Sequence, residues 1–285
     1  MKIILVFFIS LAFCYDDEKY TLQHEFDYDE SDVGEIFKEK QVQEVSFNLP
    51  GIGFVKYVTT FTQLSHYLGK ERGFYKFKIT VTDMKSDNYV DGIRLLDQYW
   101  LAMENRACYI YVKTDGGGNI DHIVPVEPED AYLQEAFEAA YMSINTSTYK
   151  YPFGYAENIA VGDTWTSSFV SSRFYVNMGS PPSLWSSKAT WNLKKVKDKR
   201  GVKTAYIDVI DELTADLQIS VDFLGERRLI VGNAVGKADA TFIWDVENTH
   251  ILYSRSNTSL AGDFEMDGKK FFGKLDFRQF SKMVE

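Results

Sequence analysis

Cysteine is nearly absent from this chain: it has two in 285 residues, Cys14 and Cys108. A scaffold stapled by several disulfides is therefore excluded. Histidine is equally sparse. His24, His66, His122 and His250 are too scattered for a close metal-ligand spacing, which argues against a zinc site. Six prolines and 25% charged residues are too few for wholesale disorder. No apolar run reaches the roughly 20 residues a membrane-spanning helix needs. Basic clusters are missing as well. With a formal charge of −10, and only short runs such as Lys194–Arg200 and Arg227–Arg228, the chain lacks the cationic surface that nucleic-acid binding requires.

The first fourteen residues have the layout of a secretory signal. Lys2 provides a positive start, Ile3–Phe13 is uncharged and apolar apart from Ser10, and acids begin at Asp16. Two cuts fit. Simple cleavage after Cys14 leaves Cys108 as the single thiol, so no intrachain disulfide can form. Alternatively, Leu11-Ala12-Phe13-Cys14 partly resembles a bacterial lipoprotein box, with Cys14 as the lipidated residue and Phe13 as the departure from it. Either way the protein is exported: to the periplasm or outer-envelope surface in a bacterium, or otherwise secreted. Losing Lys2 with the signal takes the formal charge from −10 to −11.

What the chain has in quantity is aromatic side chains. Tyr numbers 18 and Phe 21, and these residue types favour strands. Residues 15–41 are acidic, with a single Lys19 among the nine acids between Asp16 and Glu35, and are expected to form a mobile leader with a short helix near Val33–Phe37. Asp27–Asp32 resembles a calcium loop only faintly. Its sixth position is Asp32 rather than Gly, and its twelfth is Lys38 rather than Glu.

From residue 42 onward strands dominate. Val55, Tyr57, Thr59 and Phe61 alternate with Lys56, Thr60 and Thr62. Tyr75, Phe77, Ile79 and Val81 alternate with Lys76, Lys78, Thr80 and Thr82. Such period-two patterning predicts antiparallel strands with one wet face. Further strands are expected at Val42–Asn48, Ala107–Thr114, Ile120–Val126, Thr164–Phe174, Ala189–Val196, Val202–Ile210, Leu217–Phe223, Lys237–Asp245, His250–Leu260 and Lys269–Phe280. Gly232, Gly236, Gly262 and Gly268 would punctuate them. One helix is expected over about 126–144: Pro128 suits its first turn, and Leu133, Ala136, Phe137, Ala140, Tyr141 and Ile144 share a face at helical spacing. The fold class is thus mainly β, a strongly bent antiparallel sheet or open barrel with one packed helix. Residues 42–285 form either one domain or two lobes split near 126–150.

Signals for chemistry are weak. Gly232–Lys237 misses a phosphate loop by one residue and by Ala238, and no Gly-x-Ser-x-Gly elbow exists. No cofactor is implied. The richest binding region is Trp165–Trp191, where Trp165, Phe169, Phe174, Trp185 and Trp191 mix with Ser and Thr; such composition suits an apolar ligand or a sugar. Gly162-Asp163-Thr164-Trp165 reads as a capped turn that launches an inward-facing strand. Cys108 reads as a small buried apolar side chain.

The succession of an aromatic hairpin, a helix, Tyr151-Pro152-Phe153, Val161-Gly162-Asp163-Thr164-Trp165 and the late Gly236–Asp245 segment resembles a family of exported bacterial proteins, many of them lipoproteins, with a Val-Gly-Asp-Ser/Thr-Trp motif. The resemblance covers about Ala107–Lys282 and implies a β-rich envelope protein, with no catalytic residues to carry over. Three functional readings follow. The first is a non-catalytic envelope protein with a hydrophobic small molecule or lipid in an aromatic-lined cavity. The second is a structural protein that binds an envelope protein partner. The third is a glycan-active enzyme built on a pair of carboxylates.

Overall fold

The computed structural model describes residues 19–22, 28–49, 53–95, 104–114, 120–127, 156–174, 180–199, 201–223, 226–247 and 250–284. Their elements, in chain order, are β1 (Tyr20–Leu22), a 3-10 turn η1 (Glu30–Asp32), β2 (Ile36–Leu49), β3 (Gly53–Glu71), β4 (Phe74–Val90), β5 (Ile93–Leu95), β6 (Ala107–Lys113), β7 (Ile120–Pro125), β8 (Ala156–Ile159), β9 (Thr164–Phe174), β10 (Ser183–Lys199), β11 (Val202–Phe223), β12 (Glu226–Asp245), β13 (His250–Met266) and β14 (Lys269–Met283).

Period-two patterning explains these strands. Along β11 the odd positions from Ala205 to Ile219 are all buried, while Ile210, Glu212, Thr214 and Asp216 on the opposite parity are exposed. One strand therefore runs where two, Val202–Ile210 and Leu217–Phe223, are expected from the sequence. The bridging residues Leu213 and Ala215 keep the buried parity even though Ala is a weak strand former. In β4 the buried parity of Tyr75, Phe77, Ile79 and Val81 slips by one to Met84. The slip occurs beside Asp83, whose φ is +54°, opposite a register shift in β3.

All but β1 and β8 join one 12-stranded antiparallel sheet, ordered β7-β6-β4-β3-β2-β14-β13-β12-β11-β10-β9, with β5 paired to β4 off this path. It is an open sheet, since β7 and β9 stand at opposite ends of that order. Two sequential meanders, β2–β7 and β9–β14, are joined by β2 and β14, which pair from Asn48↔Lys274 to Glu39↔Met283. Just beyond, Val284 N–H donates to the Lys38 carbonyl at 2.9 Å.

The sheet is strongly curled. On a flat sheet β10 and β14 would lie about 19 Å apart, because β11, β12 and β13 separate them at roughly 4.8 Å per spacing. Yet the rings of Trp185 on β10 and Phe277 on β14 meet edge-to-face, with centroids 6.3 Å apart. Small residues line the inner side of the bend: Ala215, Ala234, Ala238, Gly232, Gly236, Gly262 and Gly273. Gly232, Gly236 and Gly262 therefore lie within strands rather than between them. Gly236 and Gly262 each face the backbone of the neighbouring strand so closely that a Cβ would overlap a carbonyl oxygen there, Ser259 and Asn233 respectively. The Phe264 ring lies over Gly232 on one side and Gly273 on the other, filling the space their absent side chains leave.

The inner face carries three apolar clusters. One spans β2, β3 and β10–β14 around Phe47, Trp185, Leu217, Leu260 and Phe264. A second covers β3, β4, β6 and β7 around Phe61, Tyr67, Phe77, Ile110 and Ile123. The third lies on β10–β12 around Trp191, Leu193, Ile207 and Trp244, and is covered by Tyr20, Leu22 and Ile159 of the small β1–β8 sheet.

The described part of the acidic leader carries secondary structure: β1 covers the third cluster, Asp29 and Asp32 form a reciprocal cap on η1, and Ile36–Gln41 belong to β2, so residue 41 lies inside a strand. The helical turn sits at Glu30–Asp32 rather than Val33–Phe37, and β2 begins at Ile36 because Glu39 and Gln41 find their places beside β14. The helix expected over about 126–144 finds no support. Among the described residues there is no α-helix. Val126 and Glu127 sit in a bend after β7, and 128–144 lie outside the described residues.

Candidate functional site

The five aromatic residues of the Trp165–Trp191 region fall on β9 and β10, and the three whose side chains are described divide between two clusters, Trp165 and Trp191 in the third and Trp185 in the first. Trp191 is 0% exposed. Its indole stacks on Trp165 at 6.2 Å and 13°, tilts against Phe242 at 5.8 Å, and donates from Nε1 to Ser167 Oγ at 2.8 Å. Trp185 sits about 20 Å further along β10, six residues at 3.3 Å each, and belongs to a different cluster. Phe169 and Phe174 pair in backbone register with Ser187 and Ser183, and their side chains lie outside the described part of the structure. Cys14 is likewise outside the described residues. Cys108 is buried on β6 within the second cluster.

Trp165 is the member of the set that differs. It is half-buried, while its indole Nε1 is fully covered and makes no hydrogen bond. Its position is set by the turn before it. Gly162 adopts φ +98°, a left-handed conformation that favours glycine. The Asp163 carboxylate accepts from Ala160 N–H at 2.8 Å. Gly162 N–H donates to the Leu193 carbonyl at 2.7 Å, and Leu193 N–H to the Asp163 carbonyl at 3.1 Å. The motif is a capped turn clipped to β10, which aims Trp165 at Trp191.

Between the apolar clusters the inner face becomes polar. Three register rows cross the central strands: Thr59–Gln43–Gln279–Ser256, Phe61–Gln41–Ser281–Ser254, and Gln63–Glu39–Met283. Gln41 is 0% exposed, Ser281 1%, Gln63 6% and Glu39 7%. Gln41 Nε2 donates to Glu39 Oε2 at 3.0 Å, Ser281 Oγ donates to Glu39 Oε1, and Gln63 Nε2 donates to Ser65 Oγ at 3.0 Å. The carbonyl oxygens Gln41 Oε1 and Gln63 Oε1 are buried without a hydrogen-bond partner. A buried acceptor left unmet costs about 1–3 kcal/mol, so this band departs from a finished core. Sequence reasoning missed it. The available signal was phase: Glu39, Gln41 and Gln43 alternate in step with Val45 and Phe47 and so share their inward face.

At the second cluster Tyr28 lies against Tyr67, Tyr75 and Phe77, with ring centroids 4.8–5.8 Å away. Burial, followed by the nearby Glu35 and Asp32 charges, pushes its phenol well above the usual tyrosine range. Another concavity, about 200 Å³, is lined by Lys78, Thr80, Asn105, Arg106, Pro125 and Glu127; there Arg106 and Glu127 pair with each other at 2.7 Å. Among the described residues no group of His, Cys, Asp and Glu is arranged to hold a metal.

Comparison with known proteins yields a fold and no family. No protein-family model matches the chain, and no curated protein matches it. A solved structure of lipovitellin, concerned with its lipid–protein interactions, is similar in fold at a TM-score of 0.51 and 10% identity; the match covers 88% of this chain and 25% of that one. The chain thus spans about a quarter of the length of that neighbour. MucB in complex with MucA(peri) aligns over 87% of this chain and 89% of its own at 9% identity, but at a TM-score of 0.12, too low to bear on the fold.

Proposed function

We propose that this is an exported, non-catalytic protein that holds an apolar ligand against the inner face of its curled sheet. The observation that carries the reading is the concave face itself: a 12-stranded open sheet, bent until Trp185 and Phe277 touch, with aromatic and aliphatic clusters along its inner side. The lipid-related lipovitellin neighbour adds support from architecture alone. Trp165, half-buried with an unmet indole N–H, is the ligand-facing member of the aromatic set. Export follows from the signal-like Met1–Cys14, with the resembled bacterial family pointing to the envelope.

The test is uptake. Protein purified gently from its own source should carry a lipid mass in native mass spectrometry, and delipidated protein should take up a fatty acid, a phospholipid or an apolar dye. Failure to bind any of them refutes the reading. The same spectrum separates a chain starting at Tyr15 from one acylated at Cys14.

A structural or partner-binding role is favoured by a different observation. Trp191 and Trp185 are already fully engaged by protein neighbours, as core residues are. Cross-linking in the native envelope that recovers a stable protein complex, with no lipid mass, would move the function there.

A further inference from the structure

Resting on the apolar-ligand reading, we propose that the buried band of Glu39, Gln41, Gln63 and Ser281 is the head-group end of the ligand site. It takes an amphiphile whose head donates hydrogen bonds, a hydroxyl or an ammonium, and discriminates against a carboxylate head.

Gln41 and Gln63 lie diagonally across the β2–β3 pair on the inner face, and each presents a buried carbonyl oxygen with no donor. The orientation of Gln41 is set by its Nε2, which donates to Glu39 Oε2, and Oε1 is the unmet atom. Gln63 is adaptable, because the Ser65 hydroxyl it meets at 3.0 Å can donate as well as accept. The band therefore offers one fixed acceptor and one adjustable group. A donor head satisfies this set. A carboxylate head brings only further acceptors, which is unfavourable in a buried place already short of donors.

Surroundings suit the rest of such a molecule. Phe61, 1% exposed, stands opposite Gln41 on β3 and belongs to the second cluster. Phe47, on the same face of β2, belongs to the first. An aliphatic tail leaving the band meets apolar side chains in either direction.

The experiment displaces an apolar dye from delipidated protein with four sixteen-carbon probes: hexadecanol, hexadecylamine, palmitate and hexadecane. The two donor-headed probes should compete at concentrations about 10-fold or more below the other two, one hydrogen bond being worth roughly that factor. The alcohol and amine arms distinguish a neutral head from a cationic one. In Gln41→Leu and, separately, Gln63→Met the preference should shrink toward unity. Two variants on different strands guard against one that fails to fold. Dye uptake without head-group preference, or a preference unchanged in both variants, overturns this inference and leaves the apolar-ligand reading standing. A wild-type protein that takes up neither dye nor any probe overturns both.

Discussion

Replacing Trp191 with Phe separates a core tryptophan from a ligand-facing one. Its indole is 0% exposed and is held by Trp165, Phe242 and a 2.8 Å bond from Nε1 to Ser167 Oγ. Trp191→Phe removes that hydrogen bond, about 1 kcal/mol net. It also removes three ring atoms, close to two methylene equivalents, or about 1.5 kcal/mol of apolar burial. The sum, about 2.5 kcal/mol, corresponds to a fall in Tm of roughly 5–10 °C for a chain of this size. Circular dichroism melting of variant and wild type, free of ligand, reads this directly. A denaturant titration with unchanged slope would confirm that the native state alone was weakened. A shift under about 1 °C would refute the packing argument: the indole would then be replaceable in the free protein, as expected if it waited for a ligand.

Four further outcomes follow from other sites. Gly236→Ala drives a Cβ into the Ser259 carbonyl of β13, so β12 and β13 must part; the variant should be recovered unfolded or aggregated in a solubility assay, whereas Gly268→Ala, in open space at φ +75°, should cost only about 1 kcal/mol. Asp163→Ala removes the acceptor for Ala160 N–H and should lower stability by about 1–2 kcal/mol in urea titration. The Tyr28 phenol is raised in the folded state, so its contribution is fully present below the unfolded value near 10 and is lost as pH rises beyond it; Tyr28→Phe should flatten that alkaline loss in melts between pH 9 and 11. Cys108, 0% exposed, should react with a thiol reagent only at the rate of unfolding, and fast labelling in native buffer would contradict its burial.

Local alternation is legible in the sequence itself, and parity alone assigns Val55, Phe61, Tyr75, Phe77, Ile79 and Val81 to a buried face. The Asp163 turn is equally readable, because its chemistry is confined to a few neighbouring residues. Long-range events leave no such trace. The β2–β14 pairing joins Lys40 to Lys282, and no local rule relates them. Curling depends on several small residues stacking across β11–β14, where single glycines read as strand ends. The polar band is hidden for a related reason: Glu39 and Gln41 look like the end of an acidic leader until β14 and β3 flank them. Of the proposed aromatic site, Trp165 and Trp191 can be linked only by the register that sets them opposite one another.

The joint between β2 and β14 also says how the molecule relates to its own linear order. Read across the sheet from β9 to β14 and on through β2, β3, β4 and β6 to β7, the strands form a single up-and-down ribbon, and the chain merely enters that ribbon in the middle. A circular permutant in which the segment carrying β1 and η1 bridges the end of β14 to the start of β2, and whose backbone opens between β7 and β8, would make every neighbour along that ribbon consecutive. It would keep the same contacts while removing the pairing of greatest sequence separation, and topology-dependent folding rates predict that it folds faster than the natural order. By the same logic, a nascent chain can assemble β2–β7 early but must wait for its last strand before the two meanders become one sheet.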